Sequence, residues 1–116
     1  MRRGELWDIE YPLTRRENSE PYGHGPGVVV SSDAFNVSAI RTVLVAVVTS
    51  NLRLAQAPGN FIVPAGAGSG LRDDSVVNVS QVLVVDKSRL VTRRGVLDRE
   101  ATEQLDQGLR RVLALE

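Results

Sequence analysis

Two short polar segments carry side chains whose types suit proton transfer. The first segment is Ser19-Glu20-Pro21-Tyr22-Gly23-His24-Gly25-Pro26, and the second is Thr49-Ser50-Asn51. An imidazole titrates near neutral pH, so His24 suits acid-base chemistry, and Glu20 is placed to orient it or to accept a proton. Each segment adjoins a Val-rich run, so both are predicted to lie where strands meet loops, a common position for functional residues.

The composition excludes several kinds of site. Basic and acidic residues balance at 14 each, so binding to a polyanion must come from a local patch. The chain has no cysteine, which excludes disulfides, thiol catalysis and thiolate metal ligands. With a single histidine, only carboxylates remain as metal ligands, and Asp73-Asp74 is more simply a solvated turn. We therefore expect neither a metal nor a cofactor.

Length and hydropathy predict one domain over residues 1–116. The first residues contain no apolar stretch of signal-peptide length, and no apolar run approaches the roughly 20 residues of a membrane helix. We expect a cytoplasmic protein that does not associate with a membrane.

The apolar pattern predicts short strands followed by one helix. Strands are predicted over 5–11, 28–31, 42–48, 61–63, 75–80 and 82–85, with a bend or bulge at Gln81. Residues 12–26 read as a long loop, and 64–70 as a Gly-rich turn without the Lys-Ser/Thr of a phosphate-binding loop. Apolar residues recur at helical spacing after Asp98, which is a plausible N-cap, although Gly108 should weaken that helix by about 1 kcal/mol. The pattern favours a mainly β fold with a C-terminal helix, a small SH3-like barrel that is partly open.

Four motifs in order resemble the MazF/PemK family of toxin endoribonucleases over nearly the whole chain. Arg3-Gly4-Glu5-Leu6-Trp7 resembles the opening strand of the family, and Ser19-Glu20-x-x-Gly23-x-x-Pro26 resembles its S-E-x-x-G-x-R-P. Thr49-Ser50-Asn51 matches its T-S-N, and the stretch from Gln81 to Leu90 resembles Q-[IV]-x-x-[IV]-D-K-S-R-L. The resemblance implies an SH3-like barrel that forms a homodimer and binds a MazE-like antitoxin.

The implied activity is metal-independent cleavage of single-stranded RNA, whether mRNA, tRNA or rRNA. The 2'-hydroxyl attacks the phosphate, and a 2',3'-cyclic phosphate and a 5'-hydroxyl result. Thr49 matches the catalytic threonine of the family, whose hydroxyl would bind the scissile phosphate. Without the resemblance, Thr49 reads as a strand-end residue that caps a turn.

Gly25 departs from the family pattern, which has arginine there. The planar guanidinium of that arginine donates two hydrogen bonds to phosphate oxygens that gain charge in the transition state. Losing it is expected to slow cleavage by about 100- to 1,000-fold. Three explanations stay open: His24, Arg15 or Arg16 takes over the role, the protein is a naturally weakened toxin, or the residue was altered to disable a lethal one.

RNA binding has further candidates near the C-terminus. Lys87, Arg89, Arg93 and Arg94 lie within eight residues that include no acid, a strip suited to phosphate contacts. Arg53 is a weaker candidate, and Tyr22 is the one plausible stacking side chain. The strip is otherwise an ordinary solvated hairpin.

Two other functions remain open at this point. A barrel of the same type could retain antitoxin or RNA binding without turnover. The gyrase-poisoning toxins share the fold implied by the resemblance, but the Thr49 and Glu20–Pro26 motifs favour the ribonuclease.

Overall fold

The computed structural model describes residues 1–12 and 23–115. In these residues an antiparallel sheet has the strand order β4-β5-β3-β2-β1-β6. The strands are β1 (Glu5–Glu10), β2 (His24–Val29), β3 (Thr42–Thr49), β4 (Phe61–Val63), β5 (Ser75–Asp86) and β6 (Leu90–Val96). The helices are α1 (Asp33–Asn36) and α2 (Arg99–Leu113), and 3₁₀ turns cover Leu52–Gln56 and Lys87–Arg89. No helix among the described residues is long and apolar enough to span a membrane.

The sheet curls around the core that lies on its inner face. This core joins Phe61 near one edge of the sheet to Leu97 just beyond the other edge, with Leu6 and Val28 between them. Only a curved sheet brings both edges to one cluster, and the amide of Val96 closes it further by donating to Gly68 O at 3.0 Å. The prediction of a mainly β, partly open barrel with a C-terminal helix is confirmed.

A second cluster lies on the outer face of the same sheet. Successive side chains of a strand point to opposite faces, so Ile9, Tyr11, Val29 and Val45 lie on the face opposite to Leu6 and Val28. All four are at most 5% exposed. Both faces of the central strands therefore contact apolar side chains, which explains their nearly continuous Val content.

Helix α2 covers the inner face. Asp98 caps it by accepting a hydrogen bond from Ala101 N at 2.8 Å, as predicted. Leu105 is fully buried, and Gly108 lies directly against the backbone carbonyl of Gly59. Gly108 is thus not simply a weak point in the helix, because its missing side chain allows α2 to approach the turn before β4.

Two of the predicted elements are corrected by the structure. The predicted loop over 12–26 is wrong at its C-terminal end, because β2 begins at His24 and pairs Pro26 with Asp8 of β1. A proline is tolerated there because β3 pairs with β2 only from Gly27 onward. The two segments predicted over 75–80 and 82–85 are one strand, β5.

The irregularity predicted at Gln81 lies within β5. Asn78 lies opposite Val47 and Val82 lies opposite Ala46, so the register of β5 on β3 shifts across residues 79–81. The side chain of Asn60 fills part of the gap, since its Oδ1 accepts from Val79 N at 2.9 Å and its Nδ2 donates to Leu54 O at 2.9 Å. These bonds attach the turn that follows Thr49-Ser50-Asn51 to the sheet.

Candidate active site

The pairing of β2 with β3 brings the ends of the two strands that carry Gly25 and Thr49 to the same edge of the sheet. The ladder pairs Val29 with Val45 and ends where Gly27 pairs with Val47. Gly25 lies two residues before Gly27, and Thr49 lies two residues after Val47. The two positions that the sequence singles out in separate segments therefore lie just beyond the end of one ladder, on neighbouring strands.

Tyr11 lies over the glycines of β2. A Cβ at Gly25 would lie 3.5 Å from Tyr11 Cε2, and one at Gly27 would lie 3.1 Å from Tyr11 Oη and would overlap Ile9 Cδ1. The Tyr11 hydroxyl donates to Pro26 O at 2.9 Å, and burial raises its pKa far above the usual range. The ring is thus a fixed, neutral floor, and Gly25, unlike Gly27, leaves room for a Cβ.

Thr49 ends β3 and begins a capped turn. Its Oγ1 accepts from Asn51 N at 3.2 Å, and Asn51 Oδ1 accepts from Arg53 N at 3.3 Å. A hydroxyl has one proton and two lone pairs, so this contact leaves the proton of Thr49 available to donate to a ligand. Capping and phosphate binding are therefore compatible roles for this side chain.

His24 lies on the other face of β2 from Gly25. It is exposed at the first position of the strand, directly opposite Glu10. Successive side chains of a strand point to opposite faces, so the side chain of His24 lies on the face of Glu10 and Pro26 rather than on that of Thr49. Glu20 and Tyr22 lie outside the described residues, as do Arg15 and Arg16.

The basic strip has partners for each of its four cations. Arg94 Nε lies 3.0 Å from Asp8, Arg93 Nε lies 2.9 Å from Glu5, and Arg89 Nη1 lies 3.5 Å from Glu10. Lys87 Nζ donates to Ser38 O at 3.0 Å.

The strip is compensated because β6 pairs with β1. Three acids of β1 face three arginines in or beside β6, although the two segments are far apart in sequence. The pKa of Glu5 reflects this arrangement: burial raises it, but hydrogen bonds from the Arg2 amide, Trp7 and Arg93 outweigh burial and lower it below its usual value. The strip is therefore locally balanced, and Arg93 and Arg94 project to different acids.

The predicted site residues thus separate into groups. Gly25 and Thr49 lie near the adjoining ends of β2 and β3, and Arg53 lies exposed in the 3₁₀ turn that follows Thr49. Arg94 borders a cavity that Thr49 also borders. Lys87, Arg89 and Arg93 are not among the described residues that line that cavity. No group of three His, Asp or Glu side chains in the described residues is arranged to hold a metal ion.

Two charged residues near Thr49 were not predicted as site residues. Arg72 and Asp73 line the same cavity as Thr49 and Arg94. In the sequence the Asp73-Asp74 pair follows a Gly-rich turn, and such a position predicts only that the two carboxylates are exposed to solvent. No local pattern shows that the segment folds back on β6, where Gly70 lies against the backbone carbonyl of Arg94 with a φ of +69°.

Comparison with known proteins identifies the family. The family model of PemK-like, MazF-like toxins of type II toxin-antitoxin systems matches residues 2–113. The chain is 42% identical over 97 residues to endoribonuclease MazF6 of Mycobacterium tuberculosis, covering 84% of each protein. It is 30% identical over 115 residues to endoribonuclease EndoA of Bacillus subtilis, covering 99% of this chain and 96% of that protein.

Solved structures give the same result for the fold. An endoribonuclease in complex with its cognate antitoxin from a mycobacterial species superposes with a TM-score of 0.79 at 21% identity, covering 100% of this chain and 97% of that one. MazF from Deinococcus radiodurans superposes with a TM-score of 0.76 at 20% identity, covering 98% and 96%. The chain belongs to the PemK-like, MazF-like family of toxins of type II toxin-antitoxin systems.

Proposed function

We propose that this protein is a toxin that cleaves single-stranded RNA at selected sequences without a metal ion. The observation that carries the proposal is the 42% identity, over 84% of the chain, to a protein named as an endoribonuclease. The location of Thr49 supports it, because Thr49 ends β3 beside a cavity and its hydroxyl accepts from Asn51 N, which leaves the hydroxyl proton to donate to a ligand. The cytoplasm, where mRNA, tRNA and rRNA are exposed, is the expected compartment.

The chemistry requires three events at one phosphate. The 2'-hydroxyl loses a proton, the phosphorus gains a fifth oxygen and the 5'-oxygen leaves with a proton. Thr49 would donate its hydroxyl proton to a nonbridging oxygen, where negative charge grows in the transition state. His24 and Glu20 are the proton-transfer candidates. Because His24 begins on the other face of β2, its imidazole would have to reach around the strand end.

The Gly25 position explains why we expect weak activity. Gly25 has no side chain, so this position cannot supply the two hydrogen bonds of a guanidinium. The space is present, since a Cβ would meet only Tyr11 Cε2, at an ordinary contact distance of 3.5 Å. Gly25 is also not among the glycines with a positive φ, so the backbone accepts a side chain.

We propose that the protein forms a homodimer and is neutralised by a MazE-like antitoxin. The support is the similarity in fold to an endoribonuclease solved with its cognate antitoxin. Antitoxin binding would persist in a catalytically inert protein. An inert barrel that binds RNA or antitoxin is therefore the second candidate function, and the glycine at position 25 is the observation that favours it.

The decisive experiment compares the protein with Gly25→Arg on a long single-stranded RNA in EDTA. We expect the variant to cleave about 100- to 1,000-fold faster, because the fork of hydrogen bonds is restored. Gly25→Gln is the matched control, since it fills similar space without charge. Primer extension maps the cut ends, and a 2',3'-cyclic phosphate identifies the 2'-hydroxyl as the nucleophile.

The outcomes separate the alternatives. If Gly25→Arg is no faster than Gly25→Gln, the assigned role of this position is wrong. If the unaltered protein and Gly25→Arg cut the same sequence at equal rates, the enzyme is active and another residue supplies the missing interaction. If only Gly25→Arg cuts, the unaltered protein acts by binding.

A further inference from the structure

A cavity of about 350 Å³ lies beside Thr49, at the end of β3. Its charged and polar lining, among the described residues, includes Asp8, Thr49, Ser50, Arg72, Asp73 and Arg94. Pro26 also borders it, whereas Gly25 points to the outer face. The cavity is therefore next to the proposed site of cleavage but separate from the position of the missing arginine.

One wall of this cavity is a fixed ion pair. Arg94 Nε lies 3.0 Å from Asp8 Oδ1, and the two side chains are 44% and 28% exposed. Because Asp8 engages the guanidinium through Nε, the terminal NH₂ groups of Arg94 keep their donors. The pair holds a planar, donor-bearing group in one orientation.

Arg72 and Asp73 also line the cavity. Within the part of the chain that the structure describes, neither Arg72 nor Asp73 forms an ion pair or a side-chain hydrogen bond. Their backbone is nevertheless anchored. Leu71, which precedes them, is 8% exposed in the inner core, and the Ser75 hydroxyl donates to Asp73 O at 2.8 Å. The two side chains thus extend from an anchored segment, and no other described residue engages them through an ion pair or a side-chain hydrogen bond.

The charge of the cavity selects the kind of ligand. Two arginines and two aspartates line it, so its formal charge cancels. A phosphate offers only acceptors and would meet both carboxylates. The edge of a nucleobase offers donors and acceptors together, which arginine and aspartate side chains recognise as a pair. Proteins that read single-stranded RNA hold unstacked bases in this way, often with a guanidinium against the ring.

We infer that this cavity binds one unpaired nucleobase of the RNA next to the cleaved bond, and that Arg72 and Asp73 determine which base is accepted. Asp73 accepts hydrogen bonds from an amino or imino group of the base, and Arg72 donates to a ring nitrogen or carbonyl oxygen. The Asp8–Arg94 pair forms the wall against which the base lies. This inference rests on the proposed function, since it assigns a selectivity pocket to the same RNA.

The test uses a random-sequence pool of single-stranded RNA and two readouts. In the first, the pool is incubated with protein in EDTA and the cut ends are sequenced. In the second, a pool of 2'-O-methyl RNA, which lacks the nucleophile, is sequenced after retention on the protein. Asp73→Asn and Arg72→Gln are compared with the unaltered protein. We expect the preference at one nucleotide position to fall by about tenfold or more, or to change base, while the other positions keep theirs.

Asp74→Asn is the matched control. Asp74 adjoins Asp73 but does not line the cavity, and its carboxylate accepts from Ala65 N at 2.8 Å, a bond that asparagine can keep. Its sequence preference should not change. Circular dichroism melts of all three variants establish that they are folded.

Each outcome decides between the inference and the function on which it rests. If RNA is cut and both cavity variants keep the full sequence preference, the inference is wrong and the ribonuclease stands. If nothing is cut but the bound pool shows a preference that Asp73→Asn changes at one position, the inference stands and turnover is refuted. If the protein neither cuts nor enriches any sequence, both are wrong.

Discussion

Replacing Gly108 with alanine changes the free energy of unfolding in two opposite ways, through the helix propensity of the residue and through its packing. In an isolated helix the change gains about 1 kcal/mol, because alanine loses less backbone freedom than glycine. In this protein the new Cβ would lie 3.3 Å from Val79 Cγ1 and would overlap the carbonyl oxygen of Gly59. Neither backbone moves without displacing other contacts of α2.

The structure indicates that packing dominates. Forcing an extra methyl group into a well-packed contact costs about 1–3 kcal/mol, and a clash between two backbones belongs in the upper half of that range. Subtracting the propensity gain leaves a net destabilisation of about 1–2 kcal/mol. For a domain of 116 residues each kcal/mol lowers Tm by about 4 °C.

Urea denaturation followed by circular dichroism at one protein concentration measures this difference. Gly68→Ala is the control, because a Cβ there meets nothing within 4 Å and Gly68 is not among the residues with positive φ. We expect that variant to be unchanged or slightly stabilised. A Gly108→Ala protein more stable than the parent would refute the argument, since it would show that α2 does not depend on close approach to Gly59.

Three further outcomes are expected. Thr49→Val should abolish residual RNA cleavage while Thr49→Ser retains part of it, as measured by product formation in EDTA; equal rates would mean that the hydroxyl only caps the turn. Asn60→Ala should lower the free energy of unfolding in urea by about 2 kcal/mol, because it leaves the buried Val79 amide unpaired. Since the pKa of Glu5 is lowered in the folded protein, its contribution to stability is present above the unfolded value near 4.5 and lost as pH falls through the folded value. The stability difference between the parent and Glu5→Gln should therefore shrink in urea titrations below about pH 4.5, and a difference that grows there would contradict the assignment.

The elements with a strong local pattern were predicted well from the sequence. A local pattern predicts each of three elements. These patterns are the alternation in β1, the Val-rich run of β3 and the periodic apolar stripe of α2. Strand β6 was not predicted, because residues 90–96 carry two adjacent arginines and no regular alternation. Strand β6 forms because it pairs with β1, although its own sequence has no strand pattern.

The sequence suggests candidate site residues but not their arrangement. Thr49 and Gly25 were identified separately, and only the register of β2 on β3 brings their strand ends together, which no local pattern fixes. Arg72 and Asp73 were missed as site residues because their place depends on the contact between Gly70 and β6. The prediction for the basic strip stays open, although its acidic partners on β1 were not foreseen. Glu20 and Tyr22 remain predictions, since they lie outside the described residues.

The pairing of acids on β1 with arginines beside β6 bears on how the protein meets RNA. Balanced charges project little field beyond about 10 Å at physiological salt, so long-range attraction should contribute little to the rate of encounter. Recognition then depends on contacts formed after collision, and association should be slow for a nucleic-acid-binding protein and only weakly sensitive to ionic strength. Such a protein would discriminate among RNAs mainly through how long each one stays bound.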